Sequence, residues 1–167
     1  MRAVGIFLAL AIAVTGVLAQ QPAGTPSAQT MRTFASSAEV TAMIAKAKAE
    51  RKPDQANYVQ RILQLAPYNA NLEYRMVVGP ASVHEKDAEL FYVIEGSGTM
   101  VTGGKLTNES RRNADNLGGD AIEGGTSQDV AKGDFFIVPE NTPHWVSKIN
   151  GTLVMMSFHA PRSSAAH

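Results

Sequence analysis

Gly133-Asp-Phe-Phe-Ile-Val-Pro139-Glu-Asn141-Thr-Pro-His144 is the stretch of the 167-residue chain that decides the fold. Phe135 to Val138 is too short for a helix, is dense in apolar and β-favouring residues, and is bounded by a Gly-Asp turn and a Pro corner. It reads as a short strand that ends on a histidine. A second stretch, Gly79-Pro-Ala-Ser-Val-His84-Glu-Lys-Asp-Ala-Glu89-Leu-Phe-Tyr-Val-Ile-Glu-Gly96, has the same character. There Leu90 to Ile94 is apolar on both parities, the pattern of a strand that wants burial on both faces. Outward from these, Val59–Leu65 and Asn71–Val78 alternate with period two, with Pro67-Tyr68-Asn69 as the expected turn, and Gly151–Phe158 is a further strand. No helical pattern alternates with these strands and no internal repeat is visible. A parallel α/β sheet is therefore disfavoured, and an antiparallel sandwich or closed barrel is expected.

The two stretches also carry the chemistry. His84 and Glu89 lie at the end of one strand and the start of the next, and His144 follows the Pro corner. Imidazole and carboxylate are good ligands for divalent transition metals, and a two-His-one-carboxylate face leaves positions open for water, oxygen or substrate. Glu89-x6-Gly96 and Gly133-x5-Pro139-x-Asn141-x2-His144 resemble the ends of the first and second motifs of the cupin superfamily, with Asn141 where the second motif has a Gly and Lys148 where it has its last Asn. The resemblance covers about residues 56–160 and implies a small antiparallel jelly-roll barrel. It also implies a metal held by His84, Glu89 and His144, of the kind iron, manganese, nickel or zinc. The His-x-His of the first motif is not intact. With His84 as its second His, the spacing to Glu89 fits and Ser82 occupies the first position. With His84 as the first, Lys86 replaces the second. The Glu side, fixed by Gly96, favours the former.

Three further residues are pocket candidates beside Ser82 and Lys86. Phe91 and Val93 share the parity of Glu89 and either line the cavity or simply pack the core. His159, at the end of the last strand, reads as a surface residue or as an extra ligand or base at the barrel mouth. Lys86 reads as a solvated turn residue or a contact for an anionic ligand.

Composition closes off other classes. Lys+Arg and Asp+Glu are 15 each, so there is no net charge to support nucleic-acid binding. With no Cys, disulfide scaffolds, zinc ribbons, iron–sulfur clusters and thiol catalysis are excluded. Met1-Arg2, the apolar run Val4–Leu18 and the small-x-small Val17-Leu18-Ala19 have the layout of a secretory signal peptide. The expected product is a periplasmic or secreted protein, cleaved after Ala19, with no membrane segment remaining.

The organisation expected is therefore a signal peptide (1–19), a flexible leader (20–35), a helix (36–52), the barrel (56–162) and a tail (163–167). The helix begins at the capping box Ser36-Ser-Ala-Glu39, carries Val40, Met43, Ile44 and Ala47 on one stripe, and stops at Pro53. Residues 103–127, with three Gly-Gly doublets in a polar segment, are expected to be a long loop, either a solvated insertion or a lid.

Three functions fit this reading. One is a metal-dependent enzyme of oxygenase, isomerase or lyase class acting on a small molecule. Another is a non-catalytic cupin binding a sugar or organic acid with a partly lost metal site. The last is an assembly module. The doubly apolar strand Leu90–Ile94 predicts a homodimer. No catalytic residue and no organic cofactor are assigned at this level.

Overall fold

The computed structural model describes residues 31–162. The signal peptide, most of the leader and the tail from 163 lie outside them. Among the described residues, no helix is long and apolar enough to cross a membrane.

The chain runs α1 (Ser37–Glu50), β1 (Tyr58–Leu65), β2 (Tyr68–Arg75), β3 (Ala81–His84), β4 (Asp87–Thr102), β5 (Lys105–Leu106), β6 (Ser110–Asn113), β7 (Asn116–Gly119), β8 (Ile122–Glu123), β9 (Thr126–Ala131), β10 (Phe135–Val138) and β11 (His144–Pro161). Every strand pair is antiparallel, giving the all-β jelly roll expected.

The capping box forms as read. Ser36 Oγ accepts from the Glu39 amide and the Glu39 carboxylate accepts from the Ser36 amide. The α1 stripe packs on the outer face of β1, β2 and β11, in a cluster of Ala47, Ile62, Ala70, Leu72, Tyr74 and Val154. Ahead of the helix, Arg32 exchanges two backbone hydrogen bonds with Gln64, both 2.8 Å, so the described end of the leader is tied to β1.

Three boundaries differ from the sequence reading. The β1–β2 turn is only Ala66-Pro67, because Leu65 already pairs with Tyr68. Strand β2 ends at Arg75, and Met76–Val78 lie outside it, exposed. There the chain must turn into β3, and Trp145 Nε1 donates to the Gly79 carbonyl at 2.7 Å at that corner. The segment 103–127 is not a structureless loop. It holds the β5–β8 ladder and the β6–β7 hairpin, and β7 adds to the barrel sheet beside β3. Gly119 serves close packing there: a Cβ on this buried residue would lie 2.6 Å from the Thr107 carbonyl oxygen.

The barrel is organised by one long ribbon. β4 and β11 pair from His144↔Thr102 to Pro161↔Asp87. The fifteen residue steps from His144 to His159 would span about 50 Å if extended. Instead both histidines reach the same carboxylate, so the ribbon curls back on itself. Register shifts between Val146 and Lys148, Ile149 and Leu153, and Val154 and Met155 supply bulges that bend it. Gly96, at φ +80, sits at the corner against the Thr152 carbonyl, where any side chain would clash.

Inside the curl, one end is filled by Phe91, Val93, Met100, Val130, Val138, Val146, Leu153 and Met155. The other end is polar.

A candidate metal centre at the polar end of the barrel

Alternation along the strands decides which side chains meet. Ser82 and His84 on β3, Glu89 and Phe91 on β4, and Ser157 and His159 on β11 point inward. Glu89 is 3% exposed. Its Oε2 lies 3.2 Å from His84 Nε2 and 3.2 Å from His144 Nε2, and its Oε1 lies 3.2 Å from His159 Nε2. The structure thus brings His84, Glu89 and His144 together, as the resemblance implied. It also settles His159: this is no surface residue, but stands directly across the ladder from Glu89 with a side chain 15% exposed. Ligand atoms of His84, Glu89 and His159 all lie within 4.8 Å of one another, a group able to hold a metal ion. Among the four expected pocket residues besides His159, Ser82 and Phe91 line the cavity with the cluster. Val93, one step deeper than Phe91, is fully buried core and not a pocket residue. Lys86 faces away, exposed, and pairs with Asp115. This placement agrees with the register in which Ser82, not Lys86, occupies the missing histidine's position.

Each ring is oriented from behind. His144 Nδ1 lies 3.2 Å from the Thr142 carbonyl, which can only accept. His84 Nδ1 lies 2.6 Å from Asn116 Oδ1. That amide is itself oriented: Asn113 Oδ1 accepts from the Asp115 amide at 3.0 Å and so also accepts from Asn116 Nδ2 at 2.9 Å, which turns Asn116 Oδ1 to the imidazole. His159 Nδ1 is 3.7 Å from Asp87 Oδ2. Asn116 and the Thr142 carbonyl place the protons of neutral His84 and His144 on Nδ1, so their Nε2 lone pairs face the centre, and Asp87 sits on the Nδ1 side of His159 beyond hydrogen-bond distance. Lone pairs so placed around a buried carboxylate repel it and one another unless protons or a cation lie between them. Donor type, convergence and outer partners all fit a divalent metal.

Electrostatics agree. Burial by itself would raise the Glu89 carboxyl, but with no ion between them, rings that carry a proton on Nε2 donate to it, and these bonds from His144, His159 and His84 outweigh burial and hold the group well below the ordinary carboxylate range. Burial would lower His84, yet Glu89 chiefly, with help from Asn116 and Asp87, raises it above its usual value of 6.5.

The local backbone explains the second motif. Asn141 adopts φ +56, the left-handed conformation that a Gly would take and that Asn tolerates. Its amide donates to the His84 carbonyl at 2.7 Å, so the Pro139–His144 corner is fastened to the strand carrying another member of the cluster.

Sequence reasoning missed Asn116, because it lies in the segment taken for a loop; the signal would have been its position directly across from His84 in a β3–β7 ladder. Missed too was the opposite wall. The inner face of β2 carries Asn71, Glu73 and Arg75, all lining a cavity of about 240 Å³ shared with the cluster. Glu73 is 6% exposed, and its oxygens are filled by Ser157 Oγ, Asn57 Nδ2 and the Arg75 guanidinium.

Comparison with known proteins agrees with this architecture. Among solved structures, the chain resembles the iron(II) form of HppE with TM-score 0.50 and 14% identity over 66% of this chain and 54% of that one. It resembles KdgF from Halomonas sp. with TM-score 0.48 and 15% identity, over 67% and 86%. A RmlC-like cupin family protein from Methanocaldococcus jannaschii gives 0.45 and 17%, over 67% and 87%. At 14% identity the likeness to HppE concerns the fold alone. No curated protein matches the sequence. The cupin family model matches residues 53–163, the whole barrel, and the chain belongs to the cupin family.

Proposed function

We propose that this chain is an exported, mononuclear metal-dependent cupin that acts on a small molecule in its barrel. The observation that carries this reading is the cluster itself: three Nε2 atoms each 3.2 Å from one buried carboxylate, with Nδ1 partners behind them. His84, Glu89, His144 and His159 would hold the ion. When bound, such an ion supplies Lewis-acid chemistry, or redox chemistry if it is iron or manganese. The chain's own part is to fix the imidazoles of His84 and His144 through Asn116 and Thr142, to keep Glu89 ionised, and to exclude bulk water with Phe91 and the core beneath it. The open side of the cavity, between the cluster and β2, is where a substrate would sit. This supports an oxygenase, isomerase or lyase more than a bare binding module, because His159 supplies the imidazole that Ser82 does not.

Two further parts of the reading concern the rest of the chain. The Met1–Ala19 pattern supports export to the periplasm or outside the cell, and mass spectrometry of the protein from its host would detect a chain starting at Gln20. A homodimer is supported by the outer face of β4 and β10, where Tyr92, Phe135 and Ile137 are 39%, 67% and 57% exposed. Light scattering should give twice the monomer mass at micromolar concentration.

The deciding experiment is elemental analysis of untagged protein purified from its native compartment. About one equivalent of a transition metal is expected, and its loss in His144→Ala with the fold retained. A metal-free wild type that still binds a small molecule would replace the enzyme with the binding module.

A further inference from the structure

Arg75 is buried against the cavity wall with its side chain 18% exposed. A guanidinium carries five N–H donors in a planar fork. Here Nε and Nη2 both donate to one oxygen, Glu73 Oε2, at 3.0 and 2.7 Å. The other three N–H groups, including both on Nη1, have no acceptor among the described residues. Glu73 cannot turn to serve them, because Ser157 Oγ holds its Oε1 at 2.9 Å and Asn57 Nδ2 shares its Oε2 at 3.1 Å. The pair therefore locks the guanidinium in place and leaves its outer Nη1–Nη2 edge free, the edge that takes a carboxylate by two parallel hydrogen bonds.

Arg75 lines the same cavity as the cluster, together with Ser82 and Asn71. Ser82 Oγ and Asn71 Oδ1 also have no partner among the described residues. The charge balance favours an anion. Among the charged residues that line the cavity, Glu73 and Arg75 cancel, and a divalent ion against Glu89 would leave one net positive charge. A neutral polyol would meet the Arg75 edge with weaker, uncharged acceptors. The volume, about 240 Å³, lies below the ~300–1,000 Å³ of drug-sized ligand sites. Resting on the reading of the barrel as a small-molecule site, we propose that its ligand is a small hydroxy- or oxo-carboxylic acid. Its carboxylate is gripped by Arg75 and its second oxygen faces the His84–Glu89–His144–His159 cluster. Arg75 is then the residue that sets specificity for acids.

The test is isothermal titration of the metal-loaded protein with glycolate, lactate, malate and 2-oxoglutarate, with lactamide and glucose as uncharged controls. At least one acid should bind, lactamide should bind at least tenfold more weakly than lactate, and Arg75→Gln should weaken the acid at least tenfold with metal content unchanged. Arg75→Lys, which keeps the charge but not the fork, should recover part of the loss. Because Arg75→Gln leaves Glu73 unpaired, the double variant Glu73→Gln/Arg75→Gln provides a neutral wall should the single variant unfold. Equal acid binding by wild type and the Gln variants, glucose binding in preference to every acid, or no binding of any acid would each overturn the proposal. Failure of the metal reading looks different: a wild type free of metal, in which acid binding still depends on Arg75.

Discussion

The two ends of the barrel are built from the same strands and obey opposite rules. Along β4, Glu89 belongs to the metal-type cluster, while Val93, two inward positions on, is sealed core. Along β11, His159 and Ser157 are polar, and Met155 and Leu153, next inward, are fully buried. At the apolar end, each side chain is held by neighbours that also want to be there, so stability is spread over many contacts. At the polar end, four titratable groups are crowded round one point and held by hydrogen bonds from behind. Stability and chemistry are thus divided along the barrel axis, and a shift of one inward position along a strand crosses the boundary.

The sharpest way to break this contrast is Glu89→Gln. It should remove metal retention altogether while the protein still unfolds cooperatively, as read by elemental analysis and circular dichroism. Loss of the fold would mean that the polar end is structural after all.

Acidification should act next most strongly. Metal binding needs unprotonated imidazoles, and His84 is raised above 6.5, so proton competition begins above that pH and retention should fall steeply as pH drops through it. The metal-free protein responds oppositely. Its raised His84 stabilises fully below 6.5 and loses that contribution as pH rises through the folded value. The depressed Glu89 contributes fully above 4.5 and loses it only as pH falls through its own low value. Metal-free protein should therefore gain most from the cluster between pH 4.5 and 6.5, and thermal melts with and without chelator should diverge as pH rises.

At the other end, Met155→Ala should cost ~2–5 kcal/mol in urea denaturation through the cavity it leaves, with unchanged metal content in the folded fraction. Asn116→Ala sharpens the contrast from the outside. It touches no core, and it should lower metal affinity about 10–100-fold, the usual effect of removing a partner behind a ligand. The smallest effect belongs to the corner. Asn141→Gly should be nearly neutral, whereas Asn141→Val should cost ~1–2 kcal/mol because a β-branched residue resists positive φ.

Much of this was legible from sequence because it depends on local rules. The Ser36–Glu39 box and the Gly133–His144 corner are short-range patterns, and the antiparallel barrel follows from strands bounded by turns. What escaped was set by pairing across the sheet. His159 joins the centre only because the last strand lies against Glu89, and Asn116 only because β7 lies against β3. Val93 and Lys86 show the same limit in reverse: parity placed Val93 inward but could not say how deep, and no local rule shows that Lys86 turns to Asp115. The extent of β2 also depended on where the chain had to turn, at Gly79 beneath Trp145.

The curl of the β4–β11 ribbon has a consequence for the order of events in the cell. His144 and His159 sit fifteen residues apart on one strand, and they reach a common carboxylate only after the ribbon has closed its full circuit. A partly folded chain would therefore present scattered ligands, not a weakened version of the centre. Such long-range pairing is slow to form because loop closure comes before its reward. An ion held there could not nucleate this protein as it can a zinc finger. Loading would follow folding, and an occupied centre would then act as a clasp across the ends of the ribbon, so that unfolding from the polar end would first have to release the ion.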